Sequence, residues 1–501
     1  MPLPRSTAPL TVAESSGYGR TALHAEVLAF IEQLRAMGDA RLLVGDFGHT
    51  PEGRLLPLLV LSEHGHFTPA AAQRSGLPVM LVICGIHAGE VEGKEAGLML
   101  VRDLLAGAHG DLLRHFTLLL VPLFNADGND RISPHNRVLE VAQLRGQDGP
   151  DSGVGTRNTA AGINLNRDYL RLQAPEMVLL QTRVCQPWNA HLTIDCHATN
   201  GSIHRFALSY DIAHTEHSGR REPVEYMRER MMPAVRAAVQ RSEQLDIFWY
   251  GNFLRDEGGS GTGWITYTHH PRFGGNYRGL GNRLDLLLET YAYQPFAQRV
   301  LATYAVLREA LLYVAAHGAE IVTLLEQCTE PPDSVAVRYR LEAWPDQLVE
   351  VPTRAPYHLQ GAPVIERVPH YARFVPDHVV RRPPAYVVPA HVGAHLQLHG
   401  LAIQTPPAST RLQVEVAIVG EPVSTAERAI LEANASTYLQ AEYRAQTREL
   451  PPGWVLVPTA QQRGAVAVYL CEAGSDDGLV ACGLITQPAP GAEFPAWRML
   501  A

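Results

Sequence analysis

The stretch Val82-Ile83-Cys84-Gly85-Ile86-His87-Ala88-Gly89-Glu90-Val91-Glu92-Gly93-Lys94 decides how this chain is read, because an apolar strand runs straight into His-x-x-Glu at the start of an apparent helix. His87 and Glu90 sit three residues apart just past a strand end. An imidazole nitrogen and a carboxylate can therefore turn toward one point, as a zinc ion requires. Gly85 and Gly89 let the backbone bend there at no steric cost. Alone the pattern is weak, since the chain has 22 histidines and such a spacing recurs by chance. It gains weight only if a third ligand, a base and substrate anchors follow in order.

Outward from that stretch, apolar runs predict strands over 55–61, 78–84, 116–123, 192–196 and 284–289. Helical spacing predicts helices over 23–34, 90–105, 175–184, 222–245 and 296–318, with Asn125-Ala126-Asp127-Gly128 as a turn. Strands alternating with helices imply an α/β fold, a mixed, mostly parallel sheet flanked by helices. Residues 131–162 are rich in Gly, Asp, Asn and Pro and read as a long loop of the kind that carries function. Past about residue 330 short alternating runs such as Val335–Leu341, punctuated by Pro383-Pro384, Pro406-Pro407 and Pro451-Pro452, predict a smaller β-rich region. The expected division is 1–330 for the chemistry and 331–501 for an accessory part.

Composition narrows the function classes. The 501 residues and 46% hydrophobic content suffice for two domains, possibly three. A net charge of -9 and no run of Lys and Arg argue against a nucleic-acid partner. The six cysteines form no C-x-x-C pair and read as reduced, mostly buried thiols. The start lacks a signal-peptide run, and no stretch reads as long enough to span a bilayer. A cytoplasmic location is the default expectation, although a form secreted after loss of a leader would look the same. The sequence sets no oligomeric state.

The remaining candidates lie further along. His197 leaves the 192–196 strand, Glu289 closes the 284–289 strand, and Arg157 and Asn166-Arg167 flank the end of the long loop. Taken singly, His197 reads as a hydrogen-bonded histidine, Glu289 as an ion-pair partner of Arg283 or Arg299, and both arginines as surface groups. Joint occurrence in this order changes the balance.

Together His87-x-x-Glu90, Arg157 through Asn166-Arg167, His197 and Glu289 resemble the zinc metallocarboxypeptidases, the carboxypeptidase A-like family, over roughly residues 45–320. Pro384 to Pro389, Leu398-His399-Gly400, Gln461 and Asp476-Asp477 are similar to bacterial members with a C-terminal extension. The resemblance implies one Zn2+ per chain on His87, Glu90 and His197, with an open position for water. It implies Glu289 as general base, Arg157 polarising the scissile carbonyl, and Asn166 and Arg167 gripping the substrate's terminal carboxylate. It also implies a tyrosine closing over that carboxylate, for which Tyr277 is the first choice and Tyr250 and Tyr267 are rivals.

Two positions depart from the family pattern. Asn164 stands where many members carry an acidic residue that orients a zinc-bound imidazole. Ala88 and Gly89 stand between His87 and Glu90, where carboxypeptidase A has a substrate-binding arginine. The expected activity is release of C-terminal residues from peptides. The alternatives are an amidohydrolase of the aspartoacylase or succinylglutamate desuccinylase kind acting on N-acyl amino acids, and a zinc- or peptide-binding protein that does not cut. Residues 246–285 should build the side-chain pocket.

Among the other histidines, His391, His395 and His399 could share a helix face as a second metal site, but a helix whose last histidine faces the C-terminal dipole is preferred. His214, His217, His269 and His270 read as exposed. The run Gly258–Gly263 lacks a phosphate-loop context and reads as a mobile loop at the cleft rim.

Overall fold

The computed structural model describes residues 8–255, 261–407, 409–425 and 436–500. In chain order the strands are β1 (Leu42–His49), β2 (Leu55–Leu61), β3 (Val79–Cys84), β4 (Thr117–Val121), β5 (Leu192–Thr199), β6 (Leu208–Asp211), β7 (Ile247–Trp249), β8 (Asn252–Arg255), β9 (Gly261–Ile265), β10 (Leu284–Tyr291), β11 (Ser334–Ala355), β12 (Ala362–Arg381), β13 (Ala385–Pro389), β14 (Arg411–Ser424), β15 (Thr437–Glu449), β16 (Trp454–Pro458) and β17 (Trp497–Met499).

An eight-stranded sheet runs in the order β1-β2-β4-β3-β5-β10-β6-β7. Its centre is parallel, β4-β3-β5-β10, and antiparallel pairings lie toward both sides. β3 and β4 are buried along their whole length, which suits continuous apolar runs covered by helices on both faces. The helices Glu92–Leu105 and Phe296–Glu326 pack against each other, and a buried ion pair from Arg299 Nε to Glu92 Oε1 at 2.9 Å joins them.

Two features at the start of the helix Glu92–Leu105 place the site. The residue expected to open it, Glu90, instead belongs to a turn closed by Glu90 N–H donating to His87 O at 2.9 Å, and the helix begins at Glu92. Gly85, at the end of β3, has φ +67°, a conformation that favours glycine, and the chain there turns from strand toward that helix.

Phe296–Glu326 runs beyond the expected end at residue 318, and it bears on the expectation that no stretch is long enough to span a bilayer. By length and composition this one helix is long and apolar enough, and its buried residues face the core. The helices expected over 175–184 and 222–245 each contain a π-helical segment, Leu180–Cys185 and Met227–Met231.

The C-terminal region is β-rich, as its alternation implied. β11 and β12 form a long hairpin that continues, through β12 parallel to β9, into a four-stranded sheet with β8. A five-stranded sheet, β15-β14-β17-β13-β16, completes it. Of the Gly258–Gly263 run, residues 258–260 lie outside the described residues, and the remainder opens β9. The six cysteines are free thiols, five of them buried.

Three of the four histidines expected at the surface, His214, His269 and His270, are buried, because the β11–β12 hairpin and the C-terminal region cover them; His217 is exposed. The triple-histidine helix is Ala390–Leu398. His391 is exposed, whereas His395 Nε2 lies 3.2 Å from His399 Nε2. Burial holds His399 well below the usual histidine range, so it is a neutral group and not a cation at the helix end.

Candidate functional site

Each site residue enters from the carboxyl end of a central strand or from the loop that crosses it. His87 follows β3, His197 sits near the end of β5, and Glu289 sits near the end of β10. In parallel α/β sheets, the crevice outside the carboxyl ends is where ligands bind.

His87 Nδ1, His197 Nδ1 and Glu90 Oε2 converge. The imidazole nitrogens lie 3.2 Å apart, and the carboxylate oxygen is 3.1 Å from the first and 3.0 Å from the second. A tetrahedral zinc with bonds of ~2.0 Å spaces its ligands by about 3.3 Å, so this donor set, two imidazoles and a carboxylate all buried, fits the ion.

The surrounding charges act differently on the three candidates. Burial pushes His87 down to about 4, which leaves a neutral imidazole with a free lone pair. Burial opposes ionisation of Glu90, but His87, His197 and Arg137 outweigh it and hold the carboxyl well below its ordinary value. Burial also opposes charge on His197, yet Asp195 and Glu90 together raise it. Asp195 Oδ1 is 3.3 Å from His197 Nε2 but misaligned for a hydrogen bond.

Behind the ligands, His87 Nε2 lies 3.0 Å from Asn164 Oδ1, so the amide oxygen stands where an acidic residue was expected and still accepts from the imidazole. The second oxygen of Glu90 takes two guanidiniums, Arg137 Nη1 at 3.0 Å and Arg157 Nη1 at 3.2 Å. Sequence reading missed Arg137. It lies inside the long loop, and its only signal is negative: a Cβ at Gly89 would come 2.7 Å from Arg137 Cδ, so the absent side chain makes room for the arginine. Asp195 could have been found, since it is two residues before His197 on one strand and shares its face.

A cavity of about 470 Å³ adjoins the cluster and is lined by Arg157, Asn166, Arg167, Tyr250, Tyr267 and Glu289 among others. Glu289 is partly buried, and burial, with the charge of Glu90 adding, pushes its carboxyl up to about 7. It pairs with neither arginine once considered for it. Arg283 Nε donates to Asn189 Oδ1 at 3.1 Å and Arg299 is held by Glu92.

The Arg167 guanidinium lies over the Phe273 ring, 3.7 Å from its centre, and Nη1 donates to Asn166 O at 2.7 Å. Burial, and then the charges of Arg157 and Arg272, lower it to about 9. Such a cation is stabilised by an incoming carboxylate. Asn166 Oδ1 accepts from Gly274 N at 3.0 Å, which fixes its side chain.

Tyr277 is a correction. Its hydroxyl is 2.8 Å from His399 Nδ1 inside the core, and it does not line the cavity, whereas Tyr250 and Tyr267 do. The helix Gly274–Leu280 that carries it turns this residue toward the C-terminal region, which the sequence pattern alone did not reveal.

Residues 27–232 match the family model described as zinc carboxypeptidase. The matched stretch includes His87, Glu90 and His197 and ends before Glu289. No curated protein matches the chain. Among solved structures, the chain is similar to a metallo-carboxypeptidase from Burkholderia cenocepacia at 16% identity and TM-score 0.40, covering 58% of this chain and 68% of that one. A metallo-carboxypeptidase from Pseudomonas aeruginosa, in complex with (2-guanidinoethylmercapto)succinic acid, aligns at 18% identity and TM-score 0.40, covering 60% and 69%. Carboxypeptidase A from Helicoverpa armigera aligns at 14% and 0.38, covering 60% and 74%.

Proposed function

We propose that the chain is a carboxypeptidase that removes C-terminal residues from peptides, with one zinc ion on His87, Glu90 and His197 and with residues 331–501 as an accessory part. The observation that supports this most is the placement of three ligand atoms at zinc spacing beside a cavity that the Glu289 carboxyl and the Arg167 guanidinium line.

When bound, zinc supplies Lewis acidity for the scissile carbonyl and for a water molecule. Arg167, with Asn166 beside it, takes the substrate's terminal carboxylate in a two-donor grip and so fixes which bond reaches the cluster. Arg157, at the cavity edge, stabilises the negative charge that develops on the carbonyl oxygen. Glu289 removes a proton from the attacking water and returns it to the departing amine. Its pKa near 7 lets it hold or release that proton at neutral pH. Of the two cavity tyrosines, Tyr250 is the better candidate to cover the bound carboxylate, because its charge environment includes both Arg167 and Glu289.

The test is a screen of short peptides and N-acyl amino acids, with and without chelator. Release of C-terminal residues that stops on zinc removal and returns on zinc addition supports the proposal. Turnover confined to acyl amino acids would move the assignment to the amidohydrolase alternative, and turnover of neither substrate would leave a binding protein.

A further inference from the structure

A second cluster of ligating side chains lies outside the cleft. His269 and His270 precede the helix Gly274–Leu280, and Asp476 comes from the C-terminal region, 206 residues after His270. One ligand atom from each lies within 4.8 Å of the other two, and all three side chains are buried. His269 Nε2 is 2.7 Å from Asp476 Oδ2, and His270 Nε2 is 3.9 Å from the same oxygen.

We propose that His269, His270 and Asp476 hold a second metal ion of the zinc class, which pins the C-terminal region to the back of the substrate-cavity wall. The two imidazoles and one carboxylate are the same donor types as at the cleft, and no residue is shared with it.

Three details favour an ion over a plain ion pair. First, His270 Nε2 has no hydrogen-bond partner although it is buried among protein atoms, and it faces the Asp476 carboxylate. A buried polar atom left unpaired is costly, and a metal would satisfy it. Second, two of the three ligand atoms, on His270 and Asp476, are aimed by a neighbour. The Thr268 hydroxyl meets His270 Nδ1, leaving Nε2 for the ion, while Tyr469 OH donates to Asp476 Oδ1 at 2.8 Å, leaving Oδ2. Such outer contacts commonly orient metal ligands. Third, a cavity of about 320 Å³ touches His269 and Asp476 and gives an entry path and room for a water ligand.

The position explains what the ion would do. Thr266, Tyr267, Thr268 and Phe273, on either side of the histidine pair, line the substrate cavity. The next residue of the C-terminal region, Asp477, accepts from Arg272 N at 2.8 Å and pairs with Arg272 Nε at 2.9 Å. An ion at His269, His270 and Asp476 would lock the same segment from its far side, so that a distant part of the chain holds the cavity wall in place.

The experiment is zinc stoichiometry by elemental analysis after gel filtration, on wild type, His270→Ala, and the His87→Ala/His197→Ala double variant. Two equivalents in wild type, one in each variant, and none when all three substitutions are combined is the expected result. Asp476→Asn in the double-variant background serves if the triple variant does not fold. A wild type that saturates at one equivalent and keeps it in His270→Ala overturns the second site, as does a double variant that retains no zinc and whose melting temperature micromolar Zn2+ does not move. One equivalent lost in His270→Ala but kept in the double variant would support this site and sink the cleft assignment, so the two readings fail separately.

Discussion

Glu289 on β10 and His197 on β5 are register partners on adjacent parallel strands. One hydrogen-bonded ladder therefore sets the spacing between the proposed base and a proposed metal ligand, and no loop intervenes. A sheet-borne pair of this kind is held rigidly, as proton transfer to a fixed position requires.

Glu289→Gln should lower kcat/KM by roughly 10²–10⁴-fold while zinc content stays at the wild-type level. The base must be ionised, and burial has pushed it up to about 7, so kcat/KM should fall as the pH drops through that value, or through a lower one once a dication sits nearby. For stability the sign is opposite. A carboxyl raised above its ordinary 4.5 favours the protonated fold, and that contribution is lost as the pH rises through about 7. Glu289→Gln should thus melt no lower than wild type at pH 8. Full activity in this variant would exclude the mechanism.

Tyr250→Phe should reduce kcat/KM for peptide substrates by about 10-fold, the loss expected when one hydrogen bond to substrate worth ~1.4 kcal/mol is removed. Tyr277→Phe should leave kinetics unchanged and lower stability by about 1–3 kcal/mol, because His399 Nδ1 would lose its partner in the core. Steady-state kinetics and thermal melts on the two variants read these outcomes, and the reverse pattern would return Tyr277 to the cleft.

Asn164→Leu should weaken zinc binding by roughly 10–100-fold, since the His87 ring would lose the acceptor that orients it. Asn164→Asp should tighten binding, because a carboxylate makes the imidazole a stronger donor to the metal. Competition with a chelator of known affinity measures both, and equal affinities in all three proteins would remove Asn164 from the metal's surroundings.

Arg137→Ala should raise the pH at which zinc is lost, because Glu90 then keeps one guanidinium, Arg157, in place of two. The charge-assisted hydrogen bond that is removed is worth about 1.5–3 kcal/mol. Zinc retention measured across pH 5–8 checks this, and an unchanged profile would leave Arg137 with a packing role only.

Much of the fold was legible because its signals are local. Fully apolar runs marked β3, β4 and the core of β10, and helical spacing marked Glu92–Leu105 and Phe296–Glu326. Short strands such as β6 and β7 were missed, being four and three residues long with no alternation to count. The candidate ligands were legible because His87 and Glu90 are close in sequence and His197 lies near a strand end. Arg137, in a loop without periodicity, was not.

By itself the sequence determined the class of chain, an alternating α/β sheet with His-x-x-Glu at the end of one strand, a histidine and a glutamate at the ends of two more, and a β-rich region behind. Only the tertiary structure decided which tyrosines face the cavity, that Asn164 meets His87 and Arg137 meets Glu90, and that His269 and His270 meet Asp476 in the interior. The physical reason is range. Periodicity and turn chemistry act between residues a few positions apart, whereas these contacts join positions up to 207 residues apart, His269 with Asp476 being the longest, and depend on which strands neighbour each other and which faces the C-terminal region covers.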